Sequence, residues 1–444
     1  MFRVFRISAR RLLVKKIRHE FQAERANQIW QFHVDSYQHI IYAVTNMPPA
    51  PRRLLTALWT TSTYFAEGLP YSIVHQISSQ FFTAAGASLQ AIGLTSLYGL
   101  AWNLKFAWSP LVDMISTKKN WLVRLELLLA IAIALLFWPS LNFDLVLAAK
   151  IFLVIAFIAA THDIAIDGYY IQSLNNTDQA AFSGLRVAAY RIALLVGNGA
   201  LVVFAGMVSW QACFLAGAGI MGILALWHHV ILPKAQPSPT TLDLSTVKEA
   251  FYSYLQQPYI LIVLGFILTF RAGDAMMFAM ATPLLKNLGY DTAMRGFLSG
   301  TVGTLTGIGG ALVGGAIISQ YGLRRCLFPF TLIQSLSIPA YAGMAYAEPG
   351  LSWVAGVIAF EQLAAGVGTA VLMVFLMQRC SQNFQATHFA IGSALMSVAA
   401  TLAGSASGFI AAKVGFTVFF LIAFVTSWPG VVLAWLMPAR VHHG

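Results

Sequence analysis

Two carboxylates, Asp163 and Asp167, stand four residues apart in the run His162-Asp163-Ile164-Ala165-Ile166-Asp167-Gly168-Tyr169-Tyr170, inside an otherwise apolar stretch. At helical spacing they share one stripe with Tyr170, and at about 1.5 Å of rise per residue they lie roughly 6 Å apart along the axis. Two like charges that close, withdrawn from bulk water, oppose joint ionisation. The chemistry that fits is reversible proton uptake, with His162 as a neighbouring relay. The competing reading is a buried ionic network with Lys105, Arg186 or Arg191 that only fixes helix packing.

Other charges also interrupt apolar runs. Each costs about 2.5 to 3.5 kcal/mol at the centre of a bilayer, so each needs a reason. Tyr64, Glu67, Tyr71, His75 and Ser78 recur at three- and four-residue steps, opposite Phe65, Leu69, Ile73 and Ile77, which gives the first apolar helix one polar face. Arg271 and Asp274, three apart, form either a local ion pair or an anion-binding point. Glu361 sits in the middle of a later helix. Tyr64, Glu67, Tyr71, His75, Tyr170, Arg271, Asp274 and Glu361 are expected to line a solute cavity. His75 fits either a relay or a hydrogen-bonded packing role.

The elements that must hold these residues are set by composition. The chain is 58% hydrophobic and 10% charged, with a mean hydropathy of +0.71, against roughly 25% charged in an ordinary soluble domain. Thirteen of the 43 charged residues precede Leu54, so the remainder is thinly charged throughout. With about 20 apolar residues per span, about twelve transmembrane helices are expected. The fold class is an all-α membrane protein of two six-helix halves, residues 54–232 and 258–438. A polar cytoplasmic linker, 233–257, joins them. Residues 1–53 form a basic cytoplasmic extension, and residues 439–444 a cytoplasmic tail. Residues 1–46 read as an extension or an upstream start before Met47, ahead of the alternatives of a surface helix or a targeting peptide.

Lys and Arg set the orientation. With the N-terminus inside, ten of them after residue 53 fall on the cytoplasmic side and four on the other (Lys150, Lys286, Arg295, Lys413), which places both termini in the cytoplasm. The net charge of +11 is concentrated before residue 54 and argues for a lipid-facing segment, not nucleic acid, because no basic patch with interleaved aromatics occurs in a polar domain. No cleavable signal peptide is read. The three cysteines, Cys213, Cys326 and Cys380, show no metal-ligand spacing.

A repeat supports the two halves. Gly86 and Gly93 recur as Gly289 and Gly296, 203 residues on, while Lys118-Lys119 recur as Arg324-Arg325 and Gln179-Ala180 as Gln385-Ala386, both 206 on. Glu67, Asp163 with Asp167, Arg271 with Asp274, and Glu361 then fall on helices 1, 4, 7 and 10, the first of each three-helix unit. The glycines of helix 8 and Gly404-x-x-x-Gly408 permit close packing. No nucleotide-binding loop is present, so ion gradients or facilitated diffusion remain as the energy source, and no cofactor or metal is expected.

Four stretches resemble the AmpG-type muropeptide permeases of the major facilitator superfamily: Glu67-Gly-Leu-Pro70, Lys105-Phe-Ala-Trp-Ser-Pro-Leu-Val-Asp113, Asp163-Ile-Ala-Ile-Asp167-Gly-Tyr169 and Phe360-Glu-Gln-Leu-Ala-Ala-Gly-Val-Gly-Thr369. The resemblance runs from about residue 54 to 437. It implies a proton-coupled importer of anhydro-muropeptides in a bacterial cytoplasmic membrane, with Asp163 and Asp167 needed for transport. Lys105 and Asp113 match the gating segment after helix 2, and Arg186 and Arg191 join that network. Related permeases carry acetyl-CoA or siderophores, and His162 stands where the permeases usually have Gln. The expectation is therefore a monomeric, non-enzymatic carrier of a muropeptide-like solute with protons. An intramembrane aspartyl protease, whose acids come from different helices, and a non-transporting sensor are the other classes.

Overall fold

In the computed structural model, the described residues are 50–233, 244–381 and 384–438. Most of the expected N-terminal extension, part of the linker and the C-terminal tail lie outside the described residues.

The described residues form helical rods with short connections. They are α1 (50–84), α2 (89–115), α3 (Lys118–Asn142), α4 (Leu145–Ser173), α5 (176–207), α6 (Trp210–Ile231), α7 (Ile260–Asn287), α8 (Thr292–Tyr321), α9 (Leu323–Ala347), α10 (Leu351–Gln378), α11 (385–414) and α12 (416–435), with a linker helix at Leu244–Leu255. Two compact units divide at Leu58. Of the first, only the opening turns of α1 are described, and everything discussed below belongs to the second, Trp59–Gly444.

Among the described residues, eight stretches are long and apolar enough to cross a membrane, and one of them, Thr387–Trp435, runs through both α11 and α12, parted at Gly415 (φ +75°). The other three rods fall short for local reasons. Hydroxyl, amide and charged residues lower the hydropathy of α1 and α9, and tight turns at Thr95–Gly99 and Lys105–Ala107 interrupt α2. Twelve rods in two sets of six agree with the fold class expected from the sequence.

Local chemistry sets the rod ends. Ser88, Thr117, Asp144, Asn175, Ser209 and Asp291 each accept a hydrogen bond from a backbone N–H in the first turn of α2, α3, α4, α5, α6 and α8, satisfying donors that an open helix start leaves bare. The repeat is physical. Gly86 and Gly289 both adopt positive φ, +76° and +86°, a conformation that side chains avoid. Two residues later, Ser88 and Asp291 cap the following helices.

An aromatic cluster fills the first half, with Phe81 packed 5.3 Å from Trp210 and 5.5 Å from Phe214 between ring centroids. In the second half, Phe266 meets Phe375 at 4.9 Å. The halves join where the ends of α1 and α5 and the start of α2 meet the ends of α7 and α11 and the start of α8. There a Cβ on Gly93 would stand 2.8 Å from the Gly408 nitrogen, and one on Gly296 would stand 2.8 Å from Val202. Lys286 Nζ donates to the Thr83 carbonyl at 2.6 Å, and Arg295 Nε donates to Gln80 Oε1 at 3.2 Å. Glycine at these positions lets backbones of the two halves approach closely.

Candidate functional site

α4 positions the carboxylates. Its long uninterrupted run, Leu145–Ser173, starts on the Asp144 cap and carries Asp163 and Asp167 one turn apart on one face. Lys105 reaches Asp163 Oδ2 from the tight turn of α2 as an ion pair. Arg186 Nη2, from α5, donates to Asp167 Oδ1 at 2.9 Å, and Tyr64, from α1, donates its hydroxyl to the same oxygen at 2.8 Å. The Arg186 guanidinium also lies 4.2 Å over the Tyr64 ring and 4.7 Å over Tyr170, an attraction between a cation and the electron-rich ring face. Glu67 on α1 stands beside Asp163. Four helices of the first half therefore converge on three carboxyl groups.

The second half supplies a simpler set. α7 breaks at Arg271 (φ −99°, ψ 3°), between helical runs ending at Phe270 and starting at Ala272. Arg271 Nη2 meets Asp274 Oδ2 at 3.3 Å. Glu361 is buried on α10, where Gln362 Nε2 donates to it at 2.9 Å and the Tyr341 hydroxyl at 3.4 Å.

Between the halves lies a cavity of about 760 Å³, inside the roughly 300 to 1,000 Å³ range of small-molecule sites. Tyr64, Glu67, Tyr71, His75, Arg271, Asp274 and Glu361 all line it. So do Arg186 and Arg191, which the sequence places in a gating network instead. Asp163 and Asp167 are not among the lining residues, but Tyr64, Glu67 and Arg186, which are, stand directly against them, and Lys105 pairs with Asp163. An aromatic group forms another part of the wall: His75 stacks on Tyr71 at 4.0 Å, and Trp102 meets both at 5.4 and 4.8 Å.

Three expectations differ from the geometry. Tyr170 is not part of the lining. It is buried against Trp59 and Tyr64, and its hydroxyl donates to the Gln179 carbonyl at 2.6 Å. His162 does not join Asp163 and Asp167, because adjacent residues on a helix point about 100° apart, and it turns toward Glu126 of α3, 3.5 Å away. The suggested network of Arg191 with the α4 acids is replaced by its place on the cavity wall. The side chain of Asp113 lies outside the described residues.

Glu126 and His228, which residue type and spacing do not single out, are both fully buried and paired at 2.6 Å. Glu126 follows Lys118, Lys119 and Arg124, where a charge near a helix end is ordinary. Its cost inside an apolar run was the signal that could have found it.

Rods in two sets of six around a polar cavity define a polytopic membrane carrier. Residues 56–387 match the Major Facilitator Superfamily, and the chain belongs to that family. It is a membrane transporter of small solutes, not an enzyme. It is 29% identical over 379 residues to the anhydromuropeptide permease of Escherichia coli K12, covering 83% of this chain and 77% of that one. It is 23% identical to the putative transporter AmpG 4 of Rickettsia conorii, covering 84% and 94%. Among solved structures, a D-xylose-proton symporter shares the fold with a TM-score of 0.70 at 12% identity, over 87% of this chain and 97% of that one.

Proposed function

We propose that this transporter imports anhydro-muropeptides with protons across a bacterial cytoplasmic membrane, both termini facing the cytoplasm. One observation carries the reading: three acids on the cavity wall, Glu67, Asp274 and Glu361, and the adjoining Asp163 and Asp167 form one charged set with four permanent cations, Arg186, Arg191 and Arg271 on the wall and Lys105 on Asp163. Uncompensated charge inside a membrane protein is costly. One bound proton brings this set to neutrality, and release of that proton leaves it with one excess negative charge.

The proton and the solute are coupled through shared partners. Arg186 faces the cavity while holding Asp167, and Glu67 faces the cavity while standing beside Asp163. A solute carboxylate drawn to Arg186 competes with Asp167 for the same guanidinium, and the displaced carboxylate then holds a proton more readily. Arg191 and Arg271 offer further anchoring for solute carboxylates. Tyr71, Trp102 and Tyr190 supply the apolar and aromatic surface that a sugar ring packs against.

The orientation follows from the Lys and Arg distribution. It puts the glycine-lined junction of the halves on the outer side, so the structure corresponds to an outward-closed state. The relationship to the Escherichia coli permease supports the solute class. The test is uptake of a labelled anhydro-muropeptide by proteoliposomes under an inward proton gradient. Accumulation that collapses with the gradient supports the reading, and uptake indifferent to the gradient, or absent for this solute, overturns it.

A further inference from the structure

α3, α4 and α6 bury a second titratable cluster outside the cavity lining. Glu126, His162 and His228 are each 0% exposed. His228 Nδ1 lies 2.6 Å from Glu126 Oε1, and its Nε2 lies 2.9 Å from the Ser62 hydroxyl of α1. His162 stops short. Its Nε2 stands 3.5 Å from the same Glu126 oxygen, and neither of its ring nitrogens nor Glu126 Oε2 has a hydrogen-bond partner among the described residues.

A buried polar atom left unpaired costs about 1 to 3 kcal/mol, and a histidine that serves only packing satisfies its nitrogens. The residue types are those of metal ligands, but among the described residues no group has the arrangement to hold a metal ion. What the three side chains can bind is a proton. With Glu126 ionised and one histidine charged, the cluster is neutral, the state a low-dielectric interior favours. A second proton makes it cationic, so protons are exchanged one at a time.

We propose that Glu126, His162 and His228 form a proton-binding site separate from the cavity carboxylates, and that a proton on His162 closes the 3.5 Å gap to Glu126. The groups facing Glu126 are His162 from α4 and His228 from α6, with the Ser62 hydroxyl reaching the cluster from α1. Closing the gap draws α4 toward α3. His162 directly precedes Asp163, which holds Lys105 on another face of the same helix, so the movement is passed to the cavity-side pair. Only this last consequence rests on the proton-coupled reading, because the protonation itself needs no solute.

The experiment uses the full-length protein in detergent, labelled with 15N-histidine, and follows the imidazole resonances from about pH 5 to pH 9. His162→Gln and His228→Gln assign the two signals. Both are expected to change over the same pH range, and Glu126→Gln is expected to move both midpoints by about one pH unit or more. Ser62→Ala is the second variant: movement of both signals supports one shared site, and movement of the His228 signal alone overturns it. Signals that are flat across the range, or that ignore Glu126→Gln, overturn the site. If the protein takes up no anhydro-muropeptide, the solute assignment fails while the resonances still decide the site. If uptake is proton-driven and the resonances ignore Glu126→Gln, the site fails and the transport reading stands.

Discussion

Arg186 holds Asp167 at 2.9 Å while its guanidinium faces the central cavity. The pair is half open to solvent, its side chains 34% and 41% exposed, so it contributes little to stability, about 1 kcal/mol or less. Its position at the cavity wall gives it a different use: a solute that takes Arg186 must loosen Asp167.

Arg186→Gln is therefore expected to lower uptake at least tenfold while shifting the melting temperature by only a few degrees, in keeping with a loss of about 1 kcal/mol. Proteoliposome uptake and a thermal melt check this together. A large melting shift with uptake intact places Arg186 in packing alone.

In the Lys105–Asp163 pair the carboxylate is the buried partner, Asp163 being only 8% exposed while the Lys105 side chain is 34% exposed. Removing Lys105 leaves the buried carboxylate without its partner, a loss of about 1 to 3 kcal/mol. Lys105→Ala is expected to lower the melting temperature clearly, and Lys105→Ala with Asp163→Ala to recover part of that loss. A double variant no more stable than Lys105→Ala contradicts the pairing.

Gly86 and Gly289 test the repeat. Nothing lies within 4 Å of a Cβ at either position, so the backbone alone opposes a side chain. Gly86→Ala and Gly289→Ala are each expected to cost about 1 kcal/mol, with similar melting shifts. Widely different shifts show that the two turns are not equivalent.

The glycine-lined junction gives a conformational prediction. A Cβ on Gly206 would overlap the Ala293 backbone, so in the proposed orientation Gly206→Leu keeps the outer ends apart. Gln80, which is otherwise buried against Arg295, then becomes accessible: a Gln80→Cys protein with Gly206→Leu is expected to react faster with an outside, membrane-impermeant maleimide than Gln80→Cys alone. Equal rates contradict the closing role.

Much of this was legible from residue type and spacing. Polar steps from Tyr64 to His75 indicated a cavity face because period and burial cost speak together, and the Gly86 and Gly289 pair marked the repeat because positive φ selects glycine. What sequence could not carry was direction about the helix axis combined with partners from other helices. His162 adjoins Asp163 in the chain, yet it meets Glu126 and not the cavity acids, and Arg191 lines the cavity instead of joining the α4 carboxylates. Phe143 and Glu348 end α3 and α9 in the left-handed region, at φ 53° and 46°. They hold equivalent places in the two halves, but neither is a residue that announces that conformation.

The most direct measurement is uptake of labelled anhydro-muropeptide into proteoliposomes under an inward proton gradient, with external pH recorded at the same time. The wild-type protein is expected to accumulate the solute and to alkalinise the outside on its addition. Asp163→Asn with Asp167→Asn is expected to abolish both signals while the folded protein is retained. Accumulation and alkalinisation unchanged in that double variant contradict the assignment of the α4 carboxylates to proton coupling.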